Sequence, residues 1–372
     1  MILWALVFTI LVVYKSLAKE VFTIRVEQPT ETTYEQLIRS VSLSVQCPCA
    51  RLFFTYDAFV QLEAQMHQIC TSQFIDGPWI ESIFGDGNWS HIPTNEFRSR
   101  GVAYFLVQQS LCTLAQLTVN STILFLRSKY IFNGQVIPKE QLLLQIKTDI
   151  DTTIDWNILT FVAIFRLGRE IIQKNQLINV FSLNWVYSLE GNNQVPYYRI
   201  PTRPISHGPN CSCATSSACT EPVFIGNEIV PGFTLGCSPM ESLLRSTLTC
   251  LYNQTCLNLI NIRNLSFIHP LDASLPSRFM LNSTVENLTA NAFVEQWLYN
   301  ISYSTFYSTC QPSICTYSVS KRKDLLEVIT IILGLYSGLT LILRLIAPLL
   351  ISASNLVSVL VWRRNNIVVP FT

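Results

Sequence analysis

The stretch PNCSCATSSACT, residues 209–220, places Cys211, Cys213 and Cys219 within twelve residues, just after His207. One imidazole and three thiolates are a sufficient ligand set for tetrahedral zinc. The spacing speaks against that use. Zinc knuckles are built on Cys-X2-Cys, whereas this pair is Cys-X-Cys. Asn210-Cys211-Ser212 also lays a glycosylation sequon across the first thiol. Sequons are used in the secretory lumen, where thiols pair. The expectation here is therefore disulfides and no metal.

Other chemistry is thinly represented. Asp149, Asp151 and Asp155 form an acidic cluster, but the turn glycine of a calcium loop is missing, and capping of a helix start is the better reading. His67, His91, His207 and His269 are scattered and read as structural or surface residues. There is no Gly-X-Ser-X-Gly elbow, no His-Glu-X-X-His and no P-loop. GDGNWS at 85–90 reads as a turn bearing a sequon. Nothing calls for a cofactor or argues for an enzyme.

Composition narrows the class. The 372 residues are 49% hydrophobic and only 13% charged, with a net charge of +1. Mean hydropathy is +0.32. Soluble domains carry about 25% charged residues. No basic field points to nucleic acid. The apolar residues are concentrated at the ends. Residues 1–14, MILWALVFTILVVY, are uncharged. That is short for a span of about 20 residues and suits a signal-peptide core, with Ser16 and Ala18 placed for a cut before Lys19. The alternative is a retained anchor. At the other end Val328–Leu343 is an uncharged run of roughly 24 Å as helix, bounded by Glu327 and Arg344. This reads as a transmembrane helix. Pro348 is expected to end or kink it. Leu349–Trp362 is again apolar and would extend the span, lie in the interface or re-enter the membrane.

Orientation comes from sequons and cysteines, because Lys321, Arg322 and Lys323 balance Arg344, Arg363 and Arg364. Sequons occur at Asn88, Asn120, Asn210, Asn253, Asn264, Asn282, Asn287 and Asn300, and none lies in an apolar end. The twelve cysteines are Cys47, Cys49, Cys70, Cys112, Cys211, Cys213, Cys219, Cys237, Cys250, Cys256, Cys310 and Cys315, all between those ends. Even number and placement imply a disulfide framework in an oxidising compartment. Local bridges Cys250–Cys256 and Cys310–Cys315 fit the spacing. Cys47 and Cys49 are too close to pair easily, so at least one reaches Cys70 or beyond. Residues from about 19 to 323 are thus placed outside a plasma membrane reached by the secretory pathway.

The expected fold is a helix-rich, disulfide-stapled α+β ectodomain with a C-terminal transmembrane helix and an N-terminal signal peptide or signal anchor. Its segments are 1–18 (signal or anchor), 19–188 and 189–323 (the two halves of the ectodomain), 324–347 (transmembrane helix) and 348–372 (juxtamembrane segment and tail). Glu20–Val26 alternates and predicts a strand. Helices are predicted over Thr30–Leu43, Thr55–Gln68, Gly101–Ser128, Pro138–Gln176, Ser238–Leu259 and Thr284–Tyr299. The fourth of these breaks at DIDTTIDW, with Asp151 or Thr152 as cap. Ser238, Pro239 and Glu241 make the N-terminal signature of the fifth. Val180–Ser188 predicts a strand, Glu190–Ala218 a Pro-rich loop, and Pro222–Gly236 short strands.

In the membrane helix, GLYSGLT sets Gly334 and Gly338 four apart, beside Ser337 and Thr340. Small residues at that spacing let helices approach closely, which points to a homo-oligomer. The segments QCPCARLFFTYDAFVQLEAQMHQICTSQFIDGPWI, NCSCATSSACT and VPGFTLGCSPMESLLRSTLTCLYNQTCLNLI, with the ending CQPSICTYSVSKRKDLLEVITIILGLYSGLTLILRLI, resemble a large uncharacterised family of invertebrate membrane proteins. The resemblance runs from about residue 28 to about 350. It implies a membrane segment at each end of a Cys-rich ectodomain, and so a retained anchor, with no known activity. More remotely, the layout resembles the degenerin/epithelial sodium channel superfamily. Gly334, Gly338 and Thr340 would match its second-span filter. The acidic residue after that filter is absent, Arg344 stands downstream, and the motif expected after the first span is missing. The partners expected are the lipid bilayer and an extracellular ligand or protein. Two functions fit: a surface recognition protein of receptor or adhesion type, or a subunit of a two-span channel gated by ligand or acid.

Overall fold

The computed structural model describes residues 2–41, 45–84, 95–179, 183–187, 202–208, 210–261, 263 and 265–365. It is 55% helical and 21% strand, with six disulfides. In chain order the first elements are α1 (Ile2–Leu17), β1 (Glu20–Glu27), α2 (Glu31–Val41), β2 (Phe53–Thr55), β3 (Val60–Met66) and α3 (Gly77–Phe84). Next come α4 (Phe97–Ser128), β4 (Tyr130–Phe132), α5 (Lys139–Lys174), β5 (Trp185–Tyr187) and β6 (Thr202–Pro204). Then follow β7 (Thr220–Ile225), β8 (Glu228–Gly236), α6 (Pro239–Arg245), α7 (Gln254–Ile260) and α8 (Val285–Ala290). The chain finishes with β9 (Val294–Ile301), α9 (Tyr303–Cys310), β10 (Ile314–Lys321) and α10 (Leu325–Asn365). Among the described residues the strands make five two-stranded antiparallel ribbons: β1–β10, β2–β4, β3–β9, β5–β6 and β7–β8.

The chain forms two compact units, each drawing on both sides of residue 188. Unit 1 is 1–50, 134–136 and 310–372; unit 2 is 51–133 and 137–309. In unit 1, β1 pairs with β10 over eight rungs, from Glu20↔Lys321 to Glu27↔Ile314. Gln46 extends the ribbon by bridging Thr316. Cys47–Cys315 and Cys49–Cys310 close its far end. Tyr34 of α2 is buried there, its hydroxyl donating to the Val136 carbonyl. A free two-stranded ribbon is marginal in water, so these staples matter.

Unit 2 has an aromatic centre. Trp79 meets Phe74 and Phe105 edge-on at 5.5 and 5.3 Å, and Phe233 packs against Phe97 and Tyr104 at 5.2 and 5.3 Å. Rings at such separations add about 0.5–1.5 kcal/mol per pair beyond burial. α4 runs through this core, burying Ala103, Tyr104, Phe105, Leu111, Cys112, Ala115 and Val119. Gly101 is required, since a Cβ there would lie 2.7 Å from Ile83 Cγ2. Cys70–Cys112 ties α4 to the loop after β3.

Several expectations are corrected. Residues 55–68 are not a helix; β3 occupies half of them and buries Val60 and Leu62 on alternate positions. The apolar steps of three and four at Phe59, Leu62 and Met66 mix a turn residue with a period-two strand. Ser238–Leu259 is three short pieces, α6, a 3-10 turn at Thr249–Tyr252, and α7. Its start is as predicted, with Ser238 Oγ accepting from the Glu241 amide. Thr284–Tyr299 is helix only to Ala290; Ala292 and Phe293 then take φ of 49° and 53°, and β9 follows to pair with β3. α5 runs unbroken through DIDTTIDW, so Asp149, Asp151 and Asp155 cap nothing; Asp149 instead accepts from the buried Tyr56 hydroxyl. In the predicted 190–218 loop, Thr202–Pro204 is a strand, while 188–201 fall outside the described residues, as do 180–182 of the predicted 180–188 strand. Cys310 and Cys315 do not pair with each other, because β10 leads Cys315 to Cys47. α10 continues through Pro348 to Asn365 as one helix.

Candidate functional site

The structure reduces the zinc-like cluster to disulfides. Cys211 pairs with Cys219 and Cys213 with Cys237. His207 lies within 4.8 Å of the Cys213 and Cys237 sulfurs, but those sulfurs are bonded to each other and hold no thiolates. His207 is buried; its Nε2 donates to the Leu183 carbonyl at 3.1 Å and its Nδ1 lies 3.3 Å from Glu221. Cys250–Cys256 forms as expected. All twelve cysteines are paired.

Two polar clusters inside unit 2 were not legible from spacing. Arg169 on α5 reaches Glu241 with Nε and Nη2 at 2.6 and 2.7 Å, and Glu286 with Nη1 at 2.6 Å. Arg245 adds a contact to Glu286 at 3.3 Å. These carboxylates hold the guanidinium proton more tightly than usual. The second cluster surrounds buried His67. Its Nδ1 accepts from the Ile69 amide at 3.1 Å, so Nε2 carries the proton, near the Tyr252 hydroxyl and 3.8 Å from Glu295. Burial lowers the His67 pKa, and Glu295 opposes that only in part. Both clusters lock elements together, and Arg169 and Glu241 also line a small pocket with Gln173, Asn184 and Ser238.

The membrane-proximal part of unit 1 is the more informative place. α10 carries an apolar stretch, Leu325–Val359, of mean hydropathy 2.1 with none of it buried. At 1.5 Å per residue the 41-residue helix is about 60 Å long, twice a hydrocarbon core of about 30 Å. α4 is also long and apolar, but 12 of its 32 residues are buried in unit 2, and its exposed side carries the Asn120 sequon; it is a core helix. α1 is the shorter apolar helix. It packs on α10, where Phe8 and Tyr336 meet edge-on at 6.2 Å. Tyr336 lies about 180° round the helix from the Gly334–Gly338 stripe. That stripe therefore faces away from α1, and a Cβ at either glycine would meet nothing within 4 Å. Ser337 and Thr340 hydroxyls donate back to carbonyls of Gly334 and Ser337, at 3.1 and 2.8 Å.

β1 starts three residues after α1 ends, and α10 starts four after β10 ends. At that junction Lys323 pairs with Glu20 at 3.2 Å and Lys321 with Asp324 at 3.2 Å. Asn120, Asn210, Asn253, Asn282, Asn287 and Asn300 are all exposed, whereas Asn88 and Asn264 lie outside the described residues. On unit 2 the second half of α5 presents Trp156, Leu159, Ile164, Leu167 and Ile171 to solvent; Trp156 is 71% exposed. Six disulfides point to an extracellular or secretory-pathway domain, and the apolar helices to membrane association. No family model matches the chain, and no curated protein or solved structure matches it either.

Proposed function

We propose that the chain is a cell-surface glycoprotein of the plasma membrane, anchored by α1 and α10, whose unit 2 recognises an extracellular protein and has no catalytic role. The exposed apolar face of α5 carries this reading. Five large apolar side chains at helical spacing are more than a solvated surface tolerates without a use, and such patches mark contact sites. α5 bears no sequon, so sugars leave the face open. The test is surface proximity labelling on animal cells with the native chain and with Trp156→Arg/Leu167→Arg. The double variant should reach the surface and lose the labelled neighbours. An unchanged set of neighbours refutes the α5 face as the recognition surface.

A second reading, a subunit of an oligomeric ligand- or acid-gated channel, is favoured by one observation. β1 and β10 run almost directly into α1 and α10, and at the far end of the ribbon two disulfides tie the segment at Cys47 and Cys49 to Cys315 on β10 and Cys310 at the end of α9. Such a ribbon transmits motion of its clamped end to both helices. Gly338→Leu places a side chain on the open stripe without touching the α1 side. It should break a defined oligomer on a native gel and abolish any current; an unchanged oligomer removes the stripe from assembly.

A further inference from the structure

We propose that the ectodomain end of the α1–α10 pair is a collar for anionic phospholipid headgroups, with Lys15, Lys19 and Arg322 as its phosphate-binding residues. The proposal rests on reading α1 and α10 as membrane helices.

The ribbon register creates the collar. Glu20 faces Lys321, so two basic groups far apart in sequence, Lys15–Lys19 and Lys321–Lys323, arrive at one level. Five cations stand there against three carboxylates, Glu20, Asp324 and Glu327. The carboxylates are already engaged. Glu20 pairs with Lys323, whose side chain is 9% exposed, and Asp324 pairs with Lys321. Glu327 accepts the Asp324 amide at 3.1 Å. Lys15, Lys19 and Arg322 are exposed and make no ion pair among the described residues. They sit within about a helical turn of the apolar helix ends, where long basic side chains reach the headgroup plane.

The positive-inside rule does not account for these cations, because across α10 three basic residues on the ectodomain side face Arg344, Arg363 and Arg364 after the uncharged core. Three separate, solvated side chains form no enclosed cradle for a single free anion. They suit a surface where phosphates are dense, and Glu327 alone of the three carboxylates makes no ion pair among the described residues.

The test uses the full glycosylated chain in nanodiscs of equal parts phosphatidylcholine and phosphatidylglycerol. Lipids that stay bound on transfer to detergent are counted by headgroup with native mass spectrometry. The native chain should retain phosphatidylglycerol preferentially, by roughly five-fold for each cation engaged at low salt, and lose the preference as salt rises. Lys15→Gln/Lys19→Gln/Arg322→Gln should bind both lipids equally, Lys15→Arg/Lys19→Arg/Arg322→Lys should behave as native, and Lys147→Gln, on α5 of the other unit, should change nothing. Equal retention by the native chain, or an undiminished preference in the Gln variant, overturns the collar. Insertion into pure phosphatidylcholine discs is scored separately. A chain that fails to insert there overturns the membrane reading and the collar with it, whereas insertion without preference overturns the collar alone.

Discussion

Arg169→Met should be among the most damaging single changes in unit 2. Arg169 is 16% exposed and Glu241 5%, so neither charge of this pair is well served by water. Removing the guanidinium strands Glu241, whose one ion pair among the described residues is with Arg169. Breaking a buried pair from one side costs about 3–5 kcal/mol. Glu241 sits in the first turn of α6, where the helix dipole returns about 0.3–1 kcal/mol, which favours the low end, about 3 kcal/mol. Glu241→Gln is different. Arg169 keeps Glu286 at 2.6 Å, so the loss is one charged hydrogen-bonded contact, about 1.5–3 kcal/mol. The double variant Arg169→Met/Glu241→Gln leaves no buried orphan charge and should cost less than the two single losses added together. Thermal unfolding followed by circular dichroism in mild detergent reads this directly. At about 2–4 °C per kcal/mol, Arg169→Met should lower Tm by about 6–12 °C. A drop under about 2 °C, or a double variant at least as damaging as the sum, would refute the reasoning.

His67 predicts a pH dependence. Burial lowers its pKa, so the folded chain holds that proton less tightly than the unfolded one, and unfolding takes up a proton once pH falls below the ordinary value of 6.5. Stability should therefore decline as pH drops below about 6.5, by up to about 1.4 kcal/mol per pH unit. The groups facing His67 are Tyr252, Glu295 and the Phe279 ring, with Gln68 bonded to Tyr252 and Arg278 acting on Glu295; His67→Asn should flatten the slope, and an unaltered slope assigns it elsewhere. The Cys47–Cys315 and Cys49–Cys310 bridges should be strongly non-additive. With one intact, the other closes only a short ring worth about 2.5 kcal/mol, but losing both also opens a loop of 261 residues worth about 5–6 kcal/mol more. Urea midpoints of Cys47→Ala/Cys315→Ala, Cys49→Ala/Cys310→Ala and the quadruple variant test this, and simple additivity refutes it. Asn253 should act twice. Its side chain caps α7 by accepting from Thr255 and Cys256 amides at 2.8 and 3.2 Å, so Asn253→Gln loses a glycan and about 1 kcal/mol. Asn300→Gln should lose the glycan alone; equal Tm values for the two reject the cap.

Legibility followed the range of the forces. The apolar end helices, the long helix of residues 97–128 and the Ser238 cap were readable, because period and capping act within a few residues. β9 was not: its partner β3 lies over two hundred residues away, and only that pairing makes a strand of a segment with helical spacing. The disulfide framework was readable as a class from count and compartment. Its connectivity was not, since Cys310 and Cys315 are spaced for a local loop and are separated by the entry into β10. The Arg169 cluster left no trace, because Glu241 and Glu286 stand 72 and 117 residues downstream.

The β1–β10 ribbon also sets an order on biosynthesis. Glu27 and its partner Ile314 are separated by nearly the whole ectodomain. At about 5–20 residues per second, β1 waits roughly 15–60 s beside the translocon before its mate exists. Throughout that interval the native partners of Cys47 and Cys49 do not yet exist. Closure of the two bridges is thus a molecular receipt for a finished chain. Any product truncated before residue 310 lacks the native partners of both Cys47 and Cys49.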